Sequence, residues 1–178
     1  AAPLVPPFEG VNLPHVFTLR DIPDMDKIDQ FVRTKKPASV CVIGGGFIGL
    51  EMAEALLHRG LKVSIVEKNP HLLPLLDQDI AFELESYVTA RGINLYTGAG
   101  AKAFSSSAIT LDDGRVIAAE MVLLSVGVKP EIVLAKNAGL EIGLTGGIKA
   151  NGRMESSDPN IYAIGDAAET THYITGAR

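Results

Sequence analysis

The stretch Ser39-Val40-Cys41-Val42-Ile43-Gly44-Gly45-Gly46-Phe47-Ile48-Gly49 decides how this chain folds. Val40 to Ile43 form an uninterrupted apolar run of the kind found in a parallel strand buried on both faces. The glycines follow at once, and Ile48, Met52, Ala55 and Leu56 then recur at helical spacing. That spacing predicts a helix from about Phe47 to Arg59, closed by Gly60 in the left-handed conformation. Lys62 to Glu67 reads as a second strand. Strand, glycine turn, helix and strand are thus complete within thirty residues, and such a βαβ unit crosses over right-handed.

Outward from this unit, Pro3, Pro6, Pro7, Pro14 and Pro23 forbid a long helix in residues 1–23 and disfavour a central strand, so that segment reads as an extended connector. Asp24 is suited to cap a helix over Met25 to Lys35, stopped by Pro37. Beyond the unit, Asn69 to Pro74 reads as a loop. Asp77 to Arg91 reads as a helix with Ile80, Leu84 and Val88 facing inward, closed by Gly92. Ile93 to Tyr96 is a third strand. Ala101 to Ala119, with Asp113-Gly114 as its hairpin signal, is an antiparallel meander. Met121 to Val126 is another buried strand, ending in Gly127-Val128-Lys129-Pro130 before a short helical stretch near Glu131 to Asn137. A last apolar strand is expected at Ile161-Tyr162-Ala163-Ile164. The fold class is therefore α/β, a Rossmann-like parallel sheet with an antiparallel β-meander.

Composition narrows the function. The 178 residues are 47% apolar and 21% charged, values of an ordinary globular α/β protein. A net charge of -5 without a cluster of Lys and Arg argues against nucleic acid as a partner. No apolar run reaches the roughly 18 residues of a membrane span, and no secretory leader opens the sequence, so a cytoplasmic, membrane-free protein is expected. Cys41, the sole cysteine, lies within an apolar strand and reads as a buried, inert thiol.

Gly44, Gly46 and Gly49 satisfy G-x-G-x-x-G between a buried strand and a helix, where each glycine has a mechanical task. Gly44 permits the tight turn, Gly46 lets backbone approach a pyrophosphate, and Gly49 lets the helix pack on the strand. The first helical residues, Phe47 and Ile48, then present N–H groups and the positive end of the helix dipole to two phosphates. Glu67, at the end of the second strand, is placed to accept hydrogen bonds from the adenosine ribose. A 2′-phosphate would bring negative charge against it, so NAD(H) is preferred over NADP(H), with the adjacent Lys68 softening the discrimination. Glu51 falls in the first helical turn after the glycines, where an acid also suits the helix dipole.

These residues resemble the pyridine nucleotide disulfide oxidoreductases, in the subgroup of NADH oxidases, NADH peroxidases and coenzyme A disulfide reductases. The resemblance is carried by Val42 to Glu54, Ser125 to Pro130 and Ile161 to Ala167, and it spans the chain. It implies an FAD flavoprotein in which the NADH domain is inserted into the FAD domain. Residues 1–23 then lead out of the FAD domain, 24–145 form the NAD-binding domain, and 146–178 return to the FAD domain. It further implies that Glu51 engages the nicotinamide end, that Val126 and Gly127 lie at the nicotinamide ring, and that Asp166 bonds the FAD ribityl chain. The family's first glycine motif, its redox cysteine and its dimerisation domain have no counterpart here. An excised, inactive piece of a homodimeric parent is implied, with the redox cysteine upstream and no catalytic residue in these 178. Where relatives often carry Thr before the last strand, this chain has Ser156-Ser157.

Two other functions compete. A non-catalytic NADH-sensing module shares the glycine loop but has no use for Asp166 at a second nucleotide's strand end. A two-domain dehydrogenase needs a catalytic His or Lys constellation, whereas His15, His58, His71 and His172 are scattered and read as surface or loop histidines.

Overall fold

The structure is a computed structural model that describes residues 1–171, 173, 174 and 176. The chain forms two compact units, Pro3–Gly127 on one hand and Ala1–Ala2 with Val128–Arg178 on the other. It begins with a two-residue strand, β1 (Ala2–Pro3).

The larger unit is built on β2 (Val16–Thr18), β3 (Ser39–Ile43), β4 (Lys62–Glu67), β5 (Asn94–Thr97) and β9 (Met121–Leu124), with α1 (Ile22–Lys35), α2 (Phe47–His58) and α3 (Gln78–Ala90) between them. These five strands are parallel in the order β2-β9-β3-β4-β5. A three-stranded antiparallel meander, β6 (Ala101–Phe104), β7 (Ala108–Leu111) and β8 (Val116–Ala118), completes the unit. The sequence-based fold class is thus the observed one.

Strand alternation divides the core in two. Val40 and Val42 of β3, Val63 and Ile65 of β4 and Met121 and Leu123 of β9 pack against Ile28, Ala53, Leu56 and Val88 of the three helices. Cys41, Ile43, Val66, Val122 and Leu124 face the other way, onto Phe104, Ile109, Leu111 and Ile117 of the meander. Both faces of the sheet are covered, which is why its strands read as continuous apolar runs. Burying each such Val, Leu or Ile stabilises the fold by about 1.5 to 3 kcal/mol. Cys41 is fully buried, and burial pushes its thiol up to about 12.

Several expectations are corrected. Helix α1 begins at Ile22 and its cap is Asp21, whose side chain accepts from the Asp24 N–H, rather than Asp24. Pro23 is no barrier, because an N–H in the first turn has no intrahelical acceptor to lose. In α3 Ile80 is 53% exposed, and the inward positions are Ala81, Leu84 and Val88, spaced three and four apart. Val16–Thr18, a proline-free part of the connector, joins the sheet at its edge beside β9.

In the smaller unit, β10 (Val128–Lys129), α4 (Val133–Asn137), β11 (Ile148–Lys149) and β12 (Ala168–Glu169) are short, and β11 pairs in parallel with β12. The strand expected at Ile161 to Ile164 does not form: it makes one isolated bridge, Tyr162 to Glu155. An apolar run becomes a strand only where neighbouring backbone pairs with it, and Tyr162 and Ile164 are exposed here. Asp166 sits in a single 3-10 turn, Gly165–Ala167. Among the described residues no helix is long and apolar enough to cross a membrane.

Candidate functional site

Because all five strands run the same way, their carboxyl ends open on one edge of the sheet. From β3 the chain proceeds to β4 and β5 on one side, while β9 and β2 lie on the other, so β3 and β9 flank the point where strand order reverses. Crevices at that point are where doubly wound sheets hold ligands. A cleft of about 540 Å³ lies there, lined by Gly44, Gly46, Glu67, Lys68, Asn69, Gly100, Asp112, Ser125, Val126 and Gly127, with Pro6, Phe8 and Pro74 at its margins.

The glycine loop forms one wall. Gly44 has φ +109° and donates to the Val66 carbonyl at 2.8 Å; a Cβ on it would fall 2.1 Å from the Ser125 carbonyl oxygen. Only glycine fits a left-handed turn so close to another backbone. A Cβ on Gly49 would lie 2.0 Å from the Gly44 carbonyl oxygen, so this glycine sets how near α2 approaches β3. Gly46 differs from both: a Cβ there would meet nothing within 4 Å, and its φ of -79° suits any residue. It is the N-cap of α2, has no side-chain cap, and is followed by a first turn without an acid. The amino end of α2 therefore offers N–H donors and a positive dipole end that no acid of its own first turn offsets. An open cradle with that electrostatic sign fits a pyrophosphate.

Glu67, at the end of β4, lines the same cleft beside the loop. Its carboxylate is 7% exposed and accepts from the Gly45 N–H at 2.7 Å through Oε2, and from the Asn69 N–H and Nδ2 at 2.7 Å each through Oε1. Three donors hold its charge without a cation, and the same bonds tie the glycine loop to the end of β4. The Ala99 N–H donates to the Glu67 carbonyl and Gly98 to the Asn69 carbonyl, which brings the turn after β5 to the cleft.

The structure thus gathers Gly44, Gly46, Glu67, Val126 and Gly127 around one cleft. Gly49 lies buried behind it, and Phe47 and Ile48 stand exposed at the start of α2. Glu51 stands beyond the acid-free first turn of α2, is exposed, and lines a groove of about 200 Å³ between α2 and α3. Sequence reasoning missed Gly45, where a Cβ would strike Leu72 Cδ2 at 2.3 Å; the only signal was a third glycine inside the motif. It also missed Asn69, Gly100 and Asp112.

Of the histidines, His15 is buried, its Nε2 2.9 Å from the Ser105 carbonyl oxygen, so it is a core contact rather than a surface residue. His58 ends α2, His71 lies 3.3 Å from Glu85, and His172 falls outside the described residues. Among the described residues no group of three or more His, Cys, Asp or Glu is arranged to hold a metal ion.

The whole chain, residues 1–178, matches the family model described as pyridine nucleotide-disulphide oxidoreductase. It is 38% identical to the NADH oxidase of Methanocaldococcus jannaschii, over all of this chain and 40% of that protein. Against the NAD(P)H coenzyme A polysulfide/persulfide reductase of Pyrococcus horikoshii identity is 39%, again over all of this chain and 41% of the relative. Among solved structures, reduced Bacillus anthracis CoADR-RHD superposes with a TM-score of 0.94 at 40% identity, covering 99% of this chain and 32% of that one. The chain spans about two fifths of the length of the curated relatives it matches.

Proposed function

Since the chain belongs to the pyridine nucleotide-disulphide oxidoreductase family, we propose that its residues 24–145 are the NADH-binding domain of an FAD-dependent oxidoreductase. Residues 1–23 and 146–178 connect this domain to the flavin domain of the parent. The observation that carries the reading is the cleft itself: an uncapped helix amino end behind an open glycine and, bonded to the neighbouring Gly45 N–H, a buried carboxylate.

In this reading the N–H groups at Gly46, Phe47 and Ile48 hold the pyrophosphate, while Gly44 and Gly49 give the loop its shape. Glu67 receives the adenosine ribose hydroxyls: among the described residues Oε2 accepts from the Gly45 N–H alone, which leaves it a further acceptor direction. The same carboxylate repels a 2′-phosphate, so NADH is favoured over NADPH. Val126 and Gly127 orient the nicotinamide. Glu51, at the nicotinamide end, and Asp166, toward the FAD ribityl chain, are assigned on the family resemblance alone. When bound, the nicotinamide supplies a hydride to the flavin, which reduces a disulfide, oxygen or peroxide. With one edge of a flavin site, the 178 residues hold no FAD and turn over no NADH alone, and the cytoplasmic parent works as a homodimer.

Calorimetric titration of the chain with NADH and with NADPH tests the proposal. Tighter binding of NADH is expected; equal affinities or a preference for NADPH would overturn the role given to Glu67, and no binding of either would overturn the site.

A further inference from the structure

The glycine loop is fastened from a place that its motif does not reveal. Between β4 and α3 the chain runs through Asn69 to Asp77, and this loop meets the glycine turn twice: the Leu73 N–H donates to the Gly45 carbonyl at 3.1 Å, and the fully buried Leu72 lies against Gly45, filling the space a Cβ would need. Pro74 of the same loop lines the cleft. The loop adopts a conformation it would not choose alone, since Leu73 has φ +45°, in the left-handed region that a branched side chain disfavours. Something outside it must hold it there.

Glu85, on α3 and outside every motif, meets this loop from the helix. Its Oε1 accepts the Leu72 N–H at 3.0 Å and lies 3.3 Å from His71 Nδ1. The His71 ring in turn packs edge-on against Phe82 of the same helix, with 4.9 Å between centroids. The Glu85 side chain is 16% exposed and that of His71 27%, so these bonds are partly shielded from water, where a charged acceptor binds a backbone N–H more strongly than a neutral one.

We infer that Glu85 is a positioning residue for the cofactor cleft: it pins Leu72 and His71, the pinned loop presses on Gly45, and Gly45 is thereby held where its N–H meets Glu67. This deepens the NADH reading and rests on it for the ligand, while the fastening itself is a property of the ligand-free protein. Glu85 touches no part of the cleft, so its effect on binding has to pass through the loop.

The test compares Glu85→Ala and Glu85→Gln with the unaltered 178-residue chain. Hydrogen exchange is read without ligand, and NADH affinity by calorimetry. In Glu85→Ala the amides of Leu72, Leu73 and Gly45 should exchange about tenfold faster while those of β3 and β9 keep their protection, and NADH should bind about tenfold more weakly. Glu85→Gln, whose amide oxygen still accepts from Leu72, should return both to within about threefold of the original. Unchanged exchange at Gly45 in Glu85→Ala, or a Gln variant as damaged as the Ala variant, would overturn the inference. Should Glu85→Ala fail to fold, Glu85→Met fills the volume without a strong acceptor and is read the same way; unfolding of both would mean a general core role and overturn it too. An unaltered chain that ignores NADH but shows the exchange response refutes the cofactor reading and leaves the fastening standing.

Discussion

Gly46 and Gly49 stand three residues apart, and the structure gives them opposite consequences when a side chain is added. At Gly46 the backbone is extended (φ -79°, ψ -176°) and a Cβ meets nothing within 4 Å, so Gly46→Val should leave the fold intact. Its cost is that of an apolar residue at an N-cap, about 1 kcal/mol. Its isopropyl group would stand where a phosphate must approach the N–H groups of α2. Charge-assisted hydrogen bonds are worth about 1.5 to 3 kcal/mol each, so losing two predicts binding weakened by roughly 10² to 10⁴. At Gly49 a Cβ would lie 2.0 Å from the Gly44 carbonyl oxygen and 3.4 Å from Val42 Cγ1, so α2 must move off the sheet. Gly49→Ala should therefore destabilise the unit by about 1 to 3 kcal/mol, the range for overpacking. Urea denaturation and calorimetric titration with NADH separate the two effects. A folded Gly46→Val that binds NADH normally would refute the phosphate cradle, and a Gly49→Ala of unaltered stability would refute the packing role.

Three further outcomes are expected. Glu67→Ala leaves the Gly45 N–H and both Asn69 donors without their acceptor and should lower stability by about 2 to 4 kcal/mol in urea; a loss below about 0.5 kcal/mol would mean that water replaces the carboxylate. The Arg59 guanidinium bonded to Asp29, helped by Arg33, holds that carboxyl below its ordinary value. A depressed pKa stabilises fully above the ordinary carboxylate range and is lost as pH falls through the depressed value, so Asp29→Asn should flatten the acid limb of melting temperature below about pH 4. Cys41, its thiol raised to about 12 by burial, should resist alkylation at pH 8 in the native state and react once unfolded in urea; labelling of the native chain would place it outside the core.

What could be read in the residues was whatever local chemistry dictates. The run Val40 to Ile43, the glycines and the 3.6-residue spacing in α2 are short-range signals, and they located the parallel unit and the cleft within it. Asp113-Gly114 marked the meander for the same reason. Long-range requirements left no such mark. Gly45 is needed because Leu72 presses on it from 27 residues away. Pro23 is tolerated because it falls in a first helical turn, and where that turn begins is set by Asp21, whose capping bond the proline count does not show. Ile161 to Ile164 carries strand composition, but composition does not supply a neighbour to pair with.

NADH is expected to lie in the cleft at the carboxyl ends of β3, β4 and β9. Amide chemical-shift changes followed by NMR during titration of the isotopically labelled chain with NADH test it most directly. Saturable shifts concentrated at Gly44 to Gly49, Glu67 to Asn69 and Ser125 to Gly127 are predicted; no saturable shift, or shifts centred on the groove between α2 and α3, would contradict it.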